Sequence, residues 1–171
     1  MRPMLHFTKS IFGDIPLQGA EIGVDEGYHA FEILHGWHDG LTKLHLIDNR
    51  KESEIAVKER LKDFKNYQFY LGDSAKLARS CPDKSLSFVY IDDDHSYEGV
   101  TKSLEAWWPK IHLGGVIGGH DYYHEEKDYI EPVAKAVTDF LNAYIPYSSP
   151  TSYLHFGDRD WWFVKTIQII E

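Results

Sequence analysis

The stretch Leu86-Ser87-Phe88-Val89-Tyr90-Ile91-Asp92-Asp93-Asp94-His95 decides the architecture. A near-continuous apolar run cut off by three acids is what a central strand covered on both faces requires. A second such run, Gly115 to Gly119, ends in His120-Asp121. Between the two lies a helical stripe of Val100, Leu104, Trp108 and Ile111. Upstream the alternation repeats. Strand 20–23 is followed by a helix opening near Asp25, with Tyr28, Phe31 and Leu34 on one face and Gly36 as its stop. Strand 44–47 ends in Asp48, and a charged helix then carries Val57, Leu61 and Phe64. Strand 67–71 ends in Gly72-Asp73-Ser74. Downstream, Pro132 opens a helix with Val133, Val137, Phe140 and Tyr144 in register. Runs 152–156 and 161–166 flank Gly157-Asp158-Arg159-Asp160, a hairpin signal. Strands alternating with helices predict an α/β fold with a mostly parallel sheet and helices on both faces. One domain is expected over 19–171, preceded by a short segment, 1–18, that the pattern does not place.

Composition narrows the function. The 171 residues carry 27 acids against 18 bases, a net charge of −9. Such a surface repels phosphates, and the basic run Lys58 to Lys65 is broken by Glu59 and Asp63, so nucleic acid is disfavoured as a partner. The single cysteine, Cys81, forms no internal disulfide and no cysteine metal site, which suits a reducing, cytoplasmic setting. Met1 to Gly19 lacks a signal-peptide core, and no apolar run is long enough to span a membrane, so a soluble protein is expected.

The chemistry-bearing residues gather at strand ends, where open parallel sheets bind ligands. Glu21-Ile22-Gly23-Val24-Asp25-Glu26-Gly27 is a strand-to-helix turn with glycines four apart. It reads either as an ordinary tight turn or as a cradle that lets a ligand approach the backbone. Asp48, ending the adjacent strand, is placed either to accept from two ribose hydroxyls or to cap a helix. Asp73 offers the same choice with a weaker signal.

The run Ala20-Glu21-Ile22-Gly23 through Gly27, then Ile47-Asp48, Gly72-Asp73 and Ile91-Asp92, resembles the successive motifs of class I S-adenosylmethionine (SAM)-dependent methyltransferases. More specific are Ile91-Asp92-Asp93-Asp94-His95-Ser96-Tyr97-Glu98-Gly99-Val100 and Gly114-Gly115-Val116-Ile117-Gly118-Gly119-His120-Asp121-Tyr122. They resemble a bacterial subfamily of small methyltransferase domains tied to sugars and secondary metabolites. The resemblance spans roughly 19–166 and implies a Rossmann-like, seven-stranded sheet with a C-terminal antiparallel hairpin. It also implies that Gly23 and Gly27 flank the methionine end of SAM and that Glu21 positions its amino group. Asp48 would hold the ribose, Asp73 the adenine, and Asp92 would sit beside the methionine facing the acceptor. The chain departs from the subfamily at Asp93, where glycine is usual.

Asp92, His120 and Asp121 match the three metal-bearing positions of catechol-type relatives, with Asp93, Asp94, His95 and His124 nearby. No lysine or arginine in the adjacent sequence neutralises these acids, so a divalent cation is expected, and a histidine ligand favours Mn, Fe or Zn over Mg. The competing reading makes His120 a metal-free base, His95 a substrate-orienting group or a helix cap, and Asp93 and Asp94 solvent-facing loop acids. Arg159 and Asp160 are expected only to make the final turn, and His29 to be an ordinary histidine. Tyr122, Tyr123, Trp161 and Trp162 read as an aromatic platform, or as core or subunit interface.

The expectation is therefore a cytoplasmic SAM-dependent methyltransferase acting on a hydroxyl of a sugar or other small-molecule acceptor. Asp92, His95 and His120 are its catalytic candidates, and the protein is expected to be a homo-oligomer. Two rivals stand beside it. A non-catalytic SAM- or nucleotide-binding subunit would keep the fold. An NAD-dependent oxidoreductase would need G-x-G-x-x-G in the first turn, where this chain has Gly-Val-Asp-Glu-Gly.

Overall fold

Apolar runs long enough to be buried on both faces pair in parallel here, and the helices between them supply the cover. A computed structural model of the protein describes residues 1–37, 39–123, 132–144 and 154–166. Helix α1 (Pro3–Phe12) leads into β1 (Leu17–Ile22), α2 (Tyr28–Gly36), β2 (Leu41–Asp48), α3 (Lys51–Arg60) and β3 (Tyr67–Leu71). A short α4 (Ser74–Leu77) precedes β4 (Leu86–Ile91), α5 (Tyr97–Trp107) and β5 (Ile111–Gly119). The chain closes with α6 (Pro132–Tyr144), β6 (His155–Gly157) and β7 (Asp160–Val164). The seven strands lie in the order β3-β2-β1-β4-β5-β7-β6. The first five are mutually parallel, while β7 runs antiparallel to β5 and to β6. This is the mixed, mostly parallel sheet expected from the alternation.

Each face has its own core. Val100, Leu104 and Trp107 of α5 and Val137 and Phe140 of α6 pack with Val89, Ile117 and Phe163. On the other face α1 and α2 bury Met4, Leu5, Ile33 and Leu34 against Phe88, Tyr90 and Trp162. Residues 1–18, which the pattern could not place, thus hold α1 with two core side chains and the first residues of β1.

Several local readings are refined. Helix α2 starts at Tyr28 rather than near Asp25, because Gly27 adopts a left-handed conformation that ends the turn before the helix begins. Its buried face is Ala30, Ile33 and Leu34; Tyr28 and Phe31 face solvent, with the Arg60 guanidinium over the Tyr28 ring. The Trp161–Trp162 strand is interior, at 0% and 7% exposure, which favours the core reading over the aromatic platform there. Trp161 packs into the core under α5 and α6, and Trp162 into the core under α1 and α2. The first hairpin strand is the three-residue β6, and its proposed start at 152–153 lies outside the described residues.

Candidate functional site

The strand order reverses between β1 and β4, and there the loops leave the sheet interlocked. Asp92 donates its backbone N–H to Ile22 O at 2.7 Å, Gly23 to Ile47 O at 2.9 Å, and Gly72 to Asp48 O at 2.9 Å. Gly23 has φ +81°, and a Cβ on it would meet the Asp92 carbonyl oxygen at 2.1 Å. Glycine is required there by both conformation and space.

These loops surround a cavity of about 550 Å³, within the usual range for small-molecule sites. Gly23, Asp48, Asp73 and Asp92, all expected at a cofactor, line it together with Asn49, Arg50, Ser74, Asp93, Lys102 and Ser103. Asp48 is buried and accepts from four donors. Its Oδ2 takes the N–H groups of Val24 (3.1 Å) and Asp25 (2.9 Å), and its Oδ1 takes the Arg50 N–H (2.9 Å) and Nε (3.4 Å). Burial would raise its pKa, but these donors prevail and hold it below the usual carboxylate range. Asp73 caps α4 through Lys76 N–H at 2.9 Å and pairs with Lys102 at 2.7 Å, the pairing being what chiefly lowers its pKa. Both aspartates therefore fasten their own turns while forming the cavity wall.

Glu21 and Gly27 are not on that wall. Glu21 is 1% exposed and meets His29 Nδ1 at 3.0 Å, and its Oε2 has no hydrogen-bond partner among the described residues. Gly27 serves as the left-handed cap of α2. His29, unremarkable in the sequence, is thus the partner of a buried acid.

Beside the cavity, sharing Asp92 with it, lies a second polar group. His95 Nε2 is 3.3 Å from Asp92 Oδ1 and 3.3 Å from Asp121 Oδ2. His120 Nδ1 is 3.2 Å from Asp121 Oδ1. Atoms of Asp92, His95 and Asp121 converge within 4.8 Å of one another, so His95, rather than the expected His120, completes the candidate metal triad. Two carboxylate oxygens facing one ring nitrogen require that nitrogen to carry a proton or to share a cation. The hydrogen bond to Asp92 raises the His95 pKa. His124 lies outside the described residues.

Long-range contacts supply the counter-charge that the adjacent sequence does not. Arg2 donates to Asp92 Oδ2 at 2.9 Å, and Arg159 donates to Asp121 Oδ1. Burial opposes ionisation of Asp92, yet His95 and Arg2 keep its pKa below the ordinary value. Arg2 also donates to Tyr90 Oη at 2.6 Å, and Tyr90 donates to Asp160 Oδ1 at 2.7 Å. Asp160 Oδ2 accepts the Met4 N–H at 3.2 Å. Asp160 is 0% exposed, so neither it nor Arg159 merely makes a turn. Trp161 Nε1 holds the His120 carbonyl at 3.1 Å, and Tyr122 N–H meets Arg159 O at 3.1 Å, which ties the end of β5 to the hairpin.

The loop acids divide. Asp94 is exposed and accepts Ser96 N–H at 2.9 Å, while Ser96 itself, not His95, caps α5 through Gly99 N–H. Asp93 instead turns towards Ser74 (3.0 Å) and Ser103 (3.1 Å), and burial raises its pKa.

A family model described as a methyltransferase domain matches residues 20–122. The chain belongs to that family. It is a class I SAM-dependent methyltransferase domain. A solved protein from Corynebacterium glutamicum superposes with a TM-score of 0.70 at 16% identity, covering 98% of this chain and 81% of that one. A putative methyltransferase from Streptococcus mutans, solved with S-adenosylhomocysteine (SAH), gives 0.68 at 14% identity, covering 96% and 98%. MycE, a methyltransferase from the mycinamycin biosynthetic pathway solved with Mg and SAH, gives 0.66 at 16% identity, and the match covers 98% of this chain but 50% of MycE. At such identities the likeness is one of fold. No curated protein matches the chain. No helix among the described residues is long and apolar enough to cross a membrane.

Proposed function

We propose that this domain transfers the SAM methyl group to a hydroxyl of a sugar or another small metabolite. The observation that carries the reading is the contiguity of the two polar sites through Asp92. One site is a cavity sized for the cofactor, and the other is an imidazole held between two carboxylates. With the methionine end near Gly23 and Asp92, the ribose falls to Asp48 and the base to the Asp73 side of the cavity. The SAM methyl then faces His95, His120 and Asp121.

The transfer is an in-line displacement in which the acceptor oxygen forms a bond to the methyl carbon as the carbon–sulfur bond breaks. The proton of the hydroxyl must leave. Asp92 and Asp121 orient the His95 ring with Nε2–H inward, which leaves Nδ1 to take that proton, and the imidazolium formed faces both carboxylates. His120 is the alternative base. Proximity of the two reactants supplies the rest of the acceleration.

A divalent cation fits the same residues. Asp92, His95 and Asp121 each offer one ligand atom within 4.8 Å of the others, and His95 Nε2 lies 3.3 Å from one oxygen of each carboxylate. The arginines on the other carboxylate oxygens would serve as outer-sphere partners. Such an ion would lower the pKa of the acceptor hydroxyl.

The net charge of −9 favours small acceptors over nucleic acid. MycE was also solved with Mg, SAH and mycinamycin VI bound, which supports a small-molecule acceptor. The test is SAH production from SAM over a panel of glycosides, polyols and phenols, with RNA as a control. An O-methylated product whose formation falls at least tenfold in His95→Ala is expected. Turnover restricted to RNA or to amine acceptors would refute the proposal.

A further inference from the structure

We infer that the outer face of α2, with the groove beside it, is a self-complementary surface on which a second copy of this chain docks about a two-fold axis. Helix α2 buries Ala30, Ile33 and Leu34 against the sheet and leaves Tyr28 and Phe31 on its solvent side, at 63% and 39% exposure. His35 is stacked on Phe31, with ring centres 5.8 Å apart, and completes a stripe at the i, i+3 and i+7 spacing of one helix face. A single exposed ring is ordinary. A contiguous aromatic stripe with an arginine laid on it has the composition of an interface centre rather than of a solvated helix.

The two ends of the stripe differ, and the difference points to the occupant. At one end Tyr28 projects, with the Arg60 guanidinium 3.3 Å from its ring centre and Arg60 Nε held by the Glu26 carbonyl at 2.7 Å. At the other, Phe31 meets Phe64 edge-on at 5.7 Å, and Phe64 lines a groove of about 530 Å³ together with Leu34, Leu41, Asp63 and Lys65. Tyr28 and Leu34 are six residues apart, roughly 9 Å along the helix. A two-fold axis beside Phe31 lays two α2 helices antiparallel and sets each Tyr28 over the groove of the other copy. The same operation brings Arg60, at the projecting end, towards Asp63 at the groove, and Glu26 towards Lys65. Projection meets groove and each charge meets its opposite, twice over, which is what an isologous contact requires. A net charge of −9 sets two copies repelling over much of their surface, whereas this face carries both signs.

The experiment is sedimentation equilibrium of the full chain over a dilution series. The wild type should show the mass of two chains at micromolar concentration. Tyr28→Ala and Phe31→Lys should each weaken the dimer by at least about tenfold, the scale of an interface hot spot. Arg60→Glu should weaken it too, and adding Asp63→Arg should restore it, because the swap rebuilds the pair across the axis. The substituted side chains are largely turned to solvent, so each variant should keep the wild-type circular dichroism spectrum, which separates a lost interface from a lost fold. A wild type that stays monomeric at its highest soluble concentration would overturn the inference and leave the groove to a small apolar ligand or an unrelated protein. A dimer that survives Tyr28→Ala, Phe31→Lys and Arg60→Glu would overturn it as well, by placing the contact on another face.

Discussion

Replacing Asp160 by alanine should cost far more than a turn residue warrants. Asp160 is 0% exposed and accepts from Tyr90 Oη at 2.7 Å and Met4 N–H at 3.2 Å. Tyr90 is itself fully buried, and its hydroxyl accepts from Arg2 while donating to Asp160. Each hydrogen bond to a charged group contributes roughly 1.5–3 kcal/mol, and the alanine variant strands both donors in the interior. Relief of the buried charge offsets part of that loss, so a net of about 3–5 kcal/mol is expected, as for breaking a buried polar pair. At roughly 2–4 °C per kcal/mol for a domain of this size, Tm should fall by about 6–20 °C. Urea unfolding supplies the free energy, with an unchanged slope confirming that only stability moved. Tyr90→Phe should cost roughly 1–3 kcal/mol, since it leaves Asp160 with a single donor. The double variant should be less destabilised than the sum of the two by about 0.5–3 kcal/mol, because both changes break one network. A loss below about 1 kcal/mol for Asp160→Ala, or strict additivity in the cycle, would show that the Arg2–Tyr90–Asp160 chain is not a coupled unit.

The remaining predictions concern the two site halves. Asp48→Ala should weaken SAH binding by about 1–3 kcal/mol in calorimetry, and undiminished affinity would remove Asp48 from the cofactor site. Because the folded pKa of Asp48 lies below its unfolded value, its stabilisation is present above roughly pH 4 and is lost as pH falls through the folded pKa. Asp48→Asn should therefore flatten the acid limb of a stability–pH curve, and an unchanged limb would contradict that pairing. Gly23→Ala should unfold the switch-point loop or abolish SAH binding, since its Cβ would lie 2.1 Å from the Asp92 carbonyl oxygen. Normal binding and Tm in that variant would show that the loops are not interlocked. EDTA should abolish turnover and Mn should restore it if the Asp92, His95 and Asp121 atoms hold an ion; full activity after metal stripping leaves His95 as the metal-free base.

Much of the cavity wall was legible because it is local. Gly23, Asp48, Asp73 and Asp92 each end a strand whose apolar pattern is readable, and a parallel sheet lines strand ends up along one edge. Glu21 lies off the cavity lining because a strand residue's side matters as much as its position; its side chain meets His29 of α2. The start of α2 was misplaced because the left-handed Gly27 outranked the capping preference of Asp25. The counter-charges were invisible for another reason. Arg2 is 90 residues from Asp92 and Arg159 is 38 from Asp121, separations that no window of sequence spans. Their one local hint was the dipeptide Arg159-Asp160 in a tight turn, a motif that turn chemistry alone explains. The burial of Trp161 likewise depends on which helices cover it, and the hairpin pattern does not say.

Those distant arginines bear on where the acceptor's proton goes. Asp92 gives one oxygen to a guanidinium and turns the other to His95, and Asp121 does the same. Pairing lowers a carboxylate's proton affinity, as the depressed pKa of Asp92 shows, so it makes a poor base near neutral pH. The same two carboxylates act on His95 in the opposite sense, since a cationic ring between them is favoured and its pKa is raised. The arrangement thus separates two roles among groups in contact. In the proposed mechanism Asp92, fixed by Arg2, orients the ring, and the ring is the group whose protonation changes during turnover. In this account Arg2 contributes by keeping Asp92 charged and in place, not by touching the acceptor. Replacing Arg2 by lysine should then preserve the charge but lose the simultaneous contact with Tyr90 and Asp92, lowering kcat more than SAH affinity. Equal losses in both would instead place Arg2 in the cofactor site, and the division of roles argued here would fail.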